Sequence, residues 1–135
     1  MDRSRLSRFV NQRLQELPLA EPAIVSPFTS VRQAVQFMRE GAGSCVLAVD
    51  GGHLVGIFTE RDVLTMEDGF DWDQPLEPAV LTRQPRTIAP TRTVAEAIAT
   101  MQQHHYRTLP VVEGSAVLGL VRLGDLLKDL AEAYP

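Results

Sequence analysis

Gly56-Ile57-Phe58-Thr59-Glu60-Arg61-Asp62-Val63-Leu64 is the stretch whose reading decides the fold. Leu54, Val55, Ile57 and Phe58 form a short apolar run, and Thr59 is a good N-cap followed by acids, so a strand here turns directly into a helix. The Thr59 hydroxyl and the Asp62 carboxylate then sit close together at a helix N-terminus. Backbone N–H groups at such an end lack partners and carry partial positive charge. A phosphate can rest against them while the carboxylate accepts hydrogen bonds from a sugar. A cap and an acid complementing the helix dipole explain the same two residues without any ligand.

The stretch returns as Gly119-Leu120-Val121-Arg122-Leu123-Gly124-Asp125-Leu126-Leu127, shifted by 63 residues, from 56 to 119. The shift holds without a gap from Pro22/Pro85 through Val31/Val94, Met38/Met101 and Gly51/Gly114 to Asp62/Asp125 and Leu64/Leu127. Glycines, prolines and helix-face positions are the ones matched, so the halves share one backbone path. Pairing of Met38 with Met101 on equivalent helix faces argues for core packing.

Outward from these motifs, each half reads strand, helix, strand, strand, helix. In the first, Ala23 to Val25 is extended after Pro22, and Ser30-Val31-Arg32-Gln33 opens a helix striped by Val31, Ala34, Val35 and Met38 that Gly41 and Gly43 end. Val46 to Val49 and Leu54 to Phe58 form a hairpin around Asp50-Gly51-Gly52-His53. In the second, Thr87-Ile88 is extended and Thr93-Val94-Ala95-Glu96 is a capping box for a helix to about Gln103. Strands over Leu109 to Val112 and Val117 to Val121 follow, and a last helix carries Leu123, Leu126, Leu127 and Leu130. The fold class is α+β. Two such units should pack about a pseudo-twofold axis, because each leaves one apolar surface uncovered, and polar clefts should lie between them.

Residues 2–17 read as one amphipathic helix ended by Pro18, with Leu6, Phe9, Val10, Leu14 and Leu17 near one face. It suits docking onto its own core or a subunit partner better than binding membrane or nucleic acid. Residues 65–84, acidic with Pro75 and Pro78, read as a solvated connection anchored by Trp72. Asp71 and Asp73 lack the pattern of a calcium loop. The expected division is a helix over 1–17, a first repeat over 18–68, a linker over 69–84, a second repeat over 85–130 and a tail over 131–135.

Composition narrows the classes. A chain of 135 residues with 44% hydrophobic and 22% charged side chains suits a soluble globular domain. Neither a membrane span nor a signal peptide is legible, and the expectation is a cytoplasmic protein. Cys45 stands alone, which excludes an intrachain disulfide or a cysteine-based zinc site, and its apolar neighbours suit a buried, inert thiol. A net charge of −4 argues against non-specific nucleic-acid binding. His104 and His105 are adjacent and point different ways, with no third histidine nearby. No catalytic motif and no metal-ligand spacing is present, so no catalytic or metal residue is assigned and the chain is not read as an enzyme.

Taken together, the ungapped repeat, the hairpin Leu109-Pro110-Val111-Val112-Glu113-Gly114 and the turn from Gly56 to Asp62 resemble a pair of cystathionine-beta-synthase (CBS) domains, the tandem unit called a Bateman module. The resemblance covers about residues 18–130. It implies a regulatory sensor of adenosine-containing ligands such as AMP, ADP, ATP or S-adenosylmethionine, bound between the motifs, with no obligatory cofactor. It further implies a homodimer. The alternative is a ligand-free scaffold for dimerisation or an unidentified protein partner. By resemblance, Asp62 and Asp125 match the ribose-binding acid and Thr59 the phosphate-contacting hydroxyl. Val25 and Ile88 match the adenine wall, offering backbone hydrogen bonds. Arg107, beside Leu109-Pro110-Val111, matches a basic group for phosphate, and Pro110 is counted with these. The second motif departs, with Arg122 where the first has Thr59. Arg122 either draws a more phosphorylated ligand or pairs with Asp125 and closes the site. Gly43-Ser44 stands where the second half has Tyr106-Arg107, so the sites should be unequal.

Overall fold

Nearly every apolar run of the sequence becomes a strand or the inner face of a helix. In a computed structural model, which describes residues 3–41 and 45–133, the elements in order are α1 (Arg3–Val10), β1 (Ala23–Val25), α2 (Val31–Glu40), β2 (Cys45–Asp50), β3 (His53–Thr59), α3 (Glu60–Leu64), α4 (Leu76–Ala79), β4 (Thr82–Arg83), α5 (Val94–His104), β5 (Thr108–Glu113), β6 (Ala116–Arg122) and α6 (Leu123–Ala133). They form two units, Glu21–Pro85 and Met1–Ala20 joined to Arg86–Pro135. Gly43 and Ser44 lie outside the described residues.

In the Glu21–Pro85 unit the strand order is β1-β2-β3-β4. The β2–β3 hairpin turns through Gly51 and Gly52 at φ 59° and 80°, where a side chain would be strained. β1 lies parallel to β2 with Val25 opposite Ala48, and Arg83 of β4 lies opposite Gly56. Ser30 caps α2 by accepting from the Gln33 N–H at 3.1 Å. The helix buries Val31, Ala34 and Met38 in a core with Val25, Val46, Phe58 and Leu76.

The other unit repeats this plan around the β5–β6 hairpin. Ile88 bridges Val111 in parallel, as β1 does β2, and Ala20 bridges Leu120 antiparallel. A reciprocal capping box of Thr93 and Glu96 starts α5, with the Glu96 N–H donating to the Thr93 hydroxyl at 3.2 Å. Partial desolvation opposes ionisation of Glu96, but hydrogen bonds from Thr93 and Arg92 outweigh it and hold this carboxyl below the usual range. The core joins Leu14, Val94, Met101, Leu109, Val111 and Leu126.

Two expectations need correction. The N-terminal helix does not run to residue 17; α1 stops at Val10. Beyond it the backbone is drawn away to pair with the loop before α5. The Leu14 N–H donates to the Arg92 carbonyl, and the Val94 N–H to the Gln12 carbonyl, both at 2.9 Å. Nor is the connection solvated throughout, for Leu76 is wholly buried. Its N–H donates to the Thr29 carbonyl and the Val31 N–H to the Gln74 carbonyl, both at 2.9 Å, while Trp72 stacks edge-on against Phe70. Arg32 pairs with Asp73 at 2.8 Å, and that hydrogen-bonded guanidinium holds the Asp73 carboxyl below its ordinary value.

The two docking segments are therefore equivalents. Each lays a buried leucine into the core of one unit and then runs beside a strand glycine. A Cβ on Gly119 would lie 2.7 Å from the Leu19 Cβ, and one on Gly56 would collide with the Leu81 side chain, so a side chain at either position forces its neighbour to shift. No helix among the described residues is long and apolar enough to cross a membrane.

Candidate functional site

β3 runs into α3 without a loop, and that junction brings Thr59 and Asp62 together. Thr59 keeps extended backbone angles, φ −119° and ψ 165°, as an N-cap must. Its N–H donates to Asp62 Oδ2 at 2.9 Å, its hydroxyl donates to the same oxygen at 3.1 Å, and the Asp62 N–H donates back to the hydroxyl at 3.3 Å. The first two bonds fall on one oxygen of the carboxylate, and the third is a backbone bond to the Thr59 hydroxyl. Among the described residues, Asp62 Oδ1 carries no hydrogen bond, and the side chain is half-buried. The carboxylate is thus held by one oxygen and presents the other as an acceptor.

At the repeat-equivalent junction of β6 and α6 the chemistry differs. Arg122 Nε donates to Asp125 Oδ2 at 2.7 Å, and its Nη2 donates to Oδ1 at 3.4 Å. The guanidinium straddles both carboxylate oxygens. Of the two expectations for Arg122, pairing with Asp125 is the one the geometry displays.

Arg107 is exposed, and its carbonyl accepts the Leu123 N–H at 2.9 Å. With Thr108 opposite Arg122 in the hairpin, this bond brings Arg107, Arg122 and Asp125 to the same end of β5 and β6. Arg107 also supplies an acceptor to the first turn of α6. Next to it, Tyr106 stacks on His104 with ring centroids 5.5 Å apart.

Val25 and Ile88 are each 8% exposed and belong to the cores of their own units. The Ile88 N–H donates to the Pro110 carbonyl and its carbonyl accepts from the Val112 N–H, both at 3.0 Å. What Ile88 retains is the second lone pair of its carbonyl. The Pro110 side chain is fully buried. Within their units, then, Thr59 and Asp62 meet at one junction, and Arg107, Arg122 and Asp125 at the other. Among the described residues no three histidines, cysteines or acids gather to hold a metal ion.

Sequence reasoning expected unequal sites and gave pairing of Arg122 with Asp125 as one of two alternatives; it did not decide between them, nor reach the open oxygen of Asp62. The i to i+3 spacing of Arg122 and Asp125 across the helix start was the available signal.

Compared with known families, the chain matches the CBS domain twice, over residues 14–68 and 77–132. Among curated proteins it is 31% identical over 106 residues to the CBS domain-containing protein YhcV of Bacillus subtilis, covering 77% of this chain and 75% of that one. Among solved structures, an uncharacterized conserved protein from Pyrococcus horikoshii superposes with a TM-score of 0.80 at 25% identity, over 90% of this chain and 93% of that one. A CBS domain protein from Pyrobaculum aerophilum, complexed with AMP, does so with a TM-score of 0.77 at 22% identity, over 90% and 99%.

Proposed function

This chain belongs to the CBS-domain family, and from that premise we propose that it is a regulatory module that binds an adenine nucleotide through its β3–α3 motif. The observation that carries the reading is the open oxygen of Asp62, held in place by Thr59 through the carboxylate's other oxygen. A ribose diol needs such an acceptor, and the Thr59 hydroxyl can meet a phosphate by turning its one proton away from Asp62 Oδ2, which the Thr59 N–H continues to hold. AMP in the Pyrobaculum aerophilum protein supports the ligand class. ADP, ATP and S-adenosylmethionine share the adenosine that the site reads. Val25, in the same unit, offers its backbone to that ligand, whereas Asp125, Arg122, Arg107, Ile88 and Pro110 make up the corresponding motif of the other unit.

Regulation follows from differential affinity. A ligand that prefers one conformation of the module stabilises it by the difference in binding free energy, and a partner that reads conformation responds. The functional form is a homodimer with no catalytic role of its own. In support, Leu64 and Leu127, at equivalent places in the repeat, are 85% and 58% exposed, which leaves apolar surface for a second copy to cover.

The test is a thermal-shift screen of nucleotide-stripped protein with AMP, ADP, ATP, S-adenosylmethionine and NAD. A ligand at 100 times its Kd stabilises the folded state by about 2.7 kcal/mol. A concentration-dependent rise with an adenine compound, lost in Asp62→Ala, is expected. No shift with any of them moves the reading to a ligand-free dimerisation scaffold, which the capping geometry of Thr59 and Asp62 also accommodates.

A further inference from the structure

The two repeat motifs carry the same acid with different hydrogen-bond partners. At Asp62 the partners are a neutral hydroxyl and a backbone N–H, both on Oδ2, and Oδ1 is open. At Asp125 a cation engages both oxygens, at 2.7 Å and 3.4 Å, with the Arg122 side chain only 22% exposed. We infer that Arg122 is a specificity-determining residue that closes the second motif, so that one chain takes up a single adenylate, through Asp62. This rests on the reading above that the module binds adenine nucleotides at these acids.

The physical argument concerns exchange of partners. A ribose hydroxyl reaching Asp62 adds a bond to an oxygen that has none from the described residues. A ribose hydroxyl reaching Asp125 must share or displace a charge-assisted pair, and a neutral hydroxyl is a weaker donor to a carboxylate than a guanidinium. Displacement also leaves Arg122 half-buried without this counter-charge. Geometry at the helix start reinforces the asymmetry. Thr59 orients Asp62 by bonding one oxygen, while Arg122 reaches across the carboxylate.

Replacing Arg122 by threonine restores the residue type of the first motif and frees both Asp125 oxygens from the guanidinium. The experiment is isothermal titration of nucleotide-stripped protein with AMP and, separately, ATP. The proteins are wild type, Arg122→Thr, Asp62→Asn and Asp125→Asn, each checked by circular dichroism. Wild type takes up one equivalent per chain. Asp62→Asn weakens that event by about 10–100-fold, the worth of a hydrogen bond to a charged group, and Asp125→Asn leaves it within a factor of about three. Arg122→Thr takes up two equivalents. If Arg122→Thr does not fold, Arg122→Gln, which removes the charge but keeps a long polar side chain, serves in its place with the same expectation.

Two equivalents of AMP or of ATP on wild type overturns the inference, as does a single equivalent on folded Arg122→Thr or Arg122→Gln. Loss of the wild-type event in Asp125→Asn rather than Asp62→Asn overturns it as well. All three outcomes leave adenylate binding intact. Absence of binding in every folded protein refutes the adenylate reading itself, and the inference with it.

Discussion

Leu14→Ala tests whether the N-terminal segment is part of a core or a tether. Leu14 has no exposed surface and lies among Phe9, Val94, Leu109 and Val111, residues far away in sequence except for the first. Truncation removes the transfer free energy of the lost carbons and leaves a cavity, at a cost of about 2–5 kcal/mol. Taking about 3 °C per kcal/mol for a chain of this size, the melting temperature falls by roughly 6–15 °C. The Leu14 N–H still reaches the Arg92 carbonyl in the variant, so packing alone is removed. Urea unfolding gives the magnitude, and native-state hydrogen exchange gives the place. Protection should fall most in α5, β5 and β6, and Leu76→Ala should instead affect β2 and β3 most. A cost below about 0.5 kcal/mol for Leu14→Ala, the range of an ordinary surface substitution, refutes the reasoning, as does loss of protection centred on β2 and β3.

Gly119→Ala places a methyl group 2.7 Å from the Leu19 Cβ and should cost about 1–3 kcal/mol by overpacking, visible as a lower urea midpoint with unchanged slope. In the background of Leu19→Gly, which removes that Cβ, Gly119→Ala should cost less than in wild type, and an unaffected single variant contradicts the contact. Thr59→Ala removes the α3 cap and should destabilise by about 0.5–2 kcal/mol in thermal melts, with Thr59→Ser close to wild type. Glu96 has a lowered pKa in the folded chain, so its contribution to stability is full above its unfolded value and disappears as pH falls through the folded one. Glu96→Gln should therefore be less stable than wild type at neutral pH and converge with it in acid. A difference that persists unchanged to pH 2 contradicts the assignment.

Much of this architecture is written in local signals. Ser30 and Thr93 start helices because their hydroxyls satisfy amides at the third residue on, and the paired glycines at 51 and 52 admit only a tight hairpin. Such features act over a few residues and are legible. The docking segments were hidden because their equivalence runs at a shift of 62, Leu14 to Leu76 and Leu19 to Leu81, one residue short of the 63 that aligns the rest. Acids and prolines around Leu76 also disguised a buried leucine within a polar stretch. At the site, residue types revealed where the acids lie but not which oxygen remains open. That depends on whether the neighbouring side chain is a short hydroxyl or a long guanidinium able to span both.

The measurement that bears most directly on the account is a titration of 15N-labelled, nucleotide-stripped protein with AMP, followed through the amide resonances of Thr59 and Asp62. The account predicts saturable shifts at these two amides and their neighbours in Gly56 to Val63, abolished in Asp62→Asn. Amides of this stretch that stay unmoved at millimolar AMP, in a protein shown to be folded, contradict it.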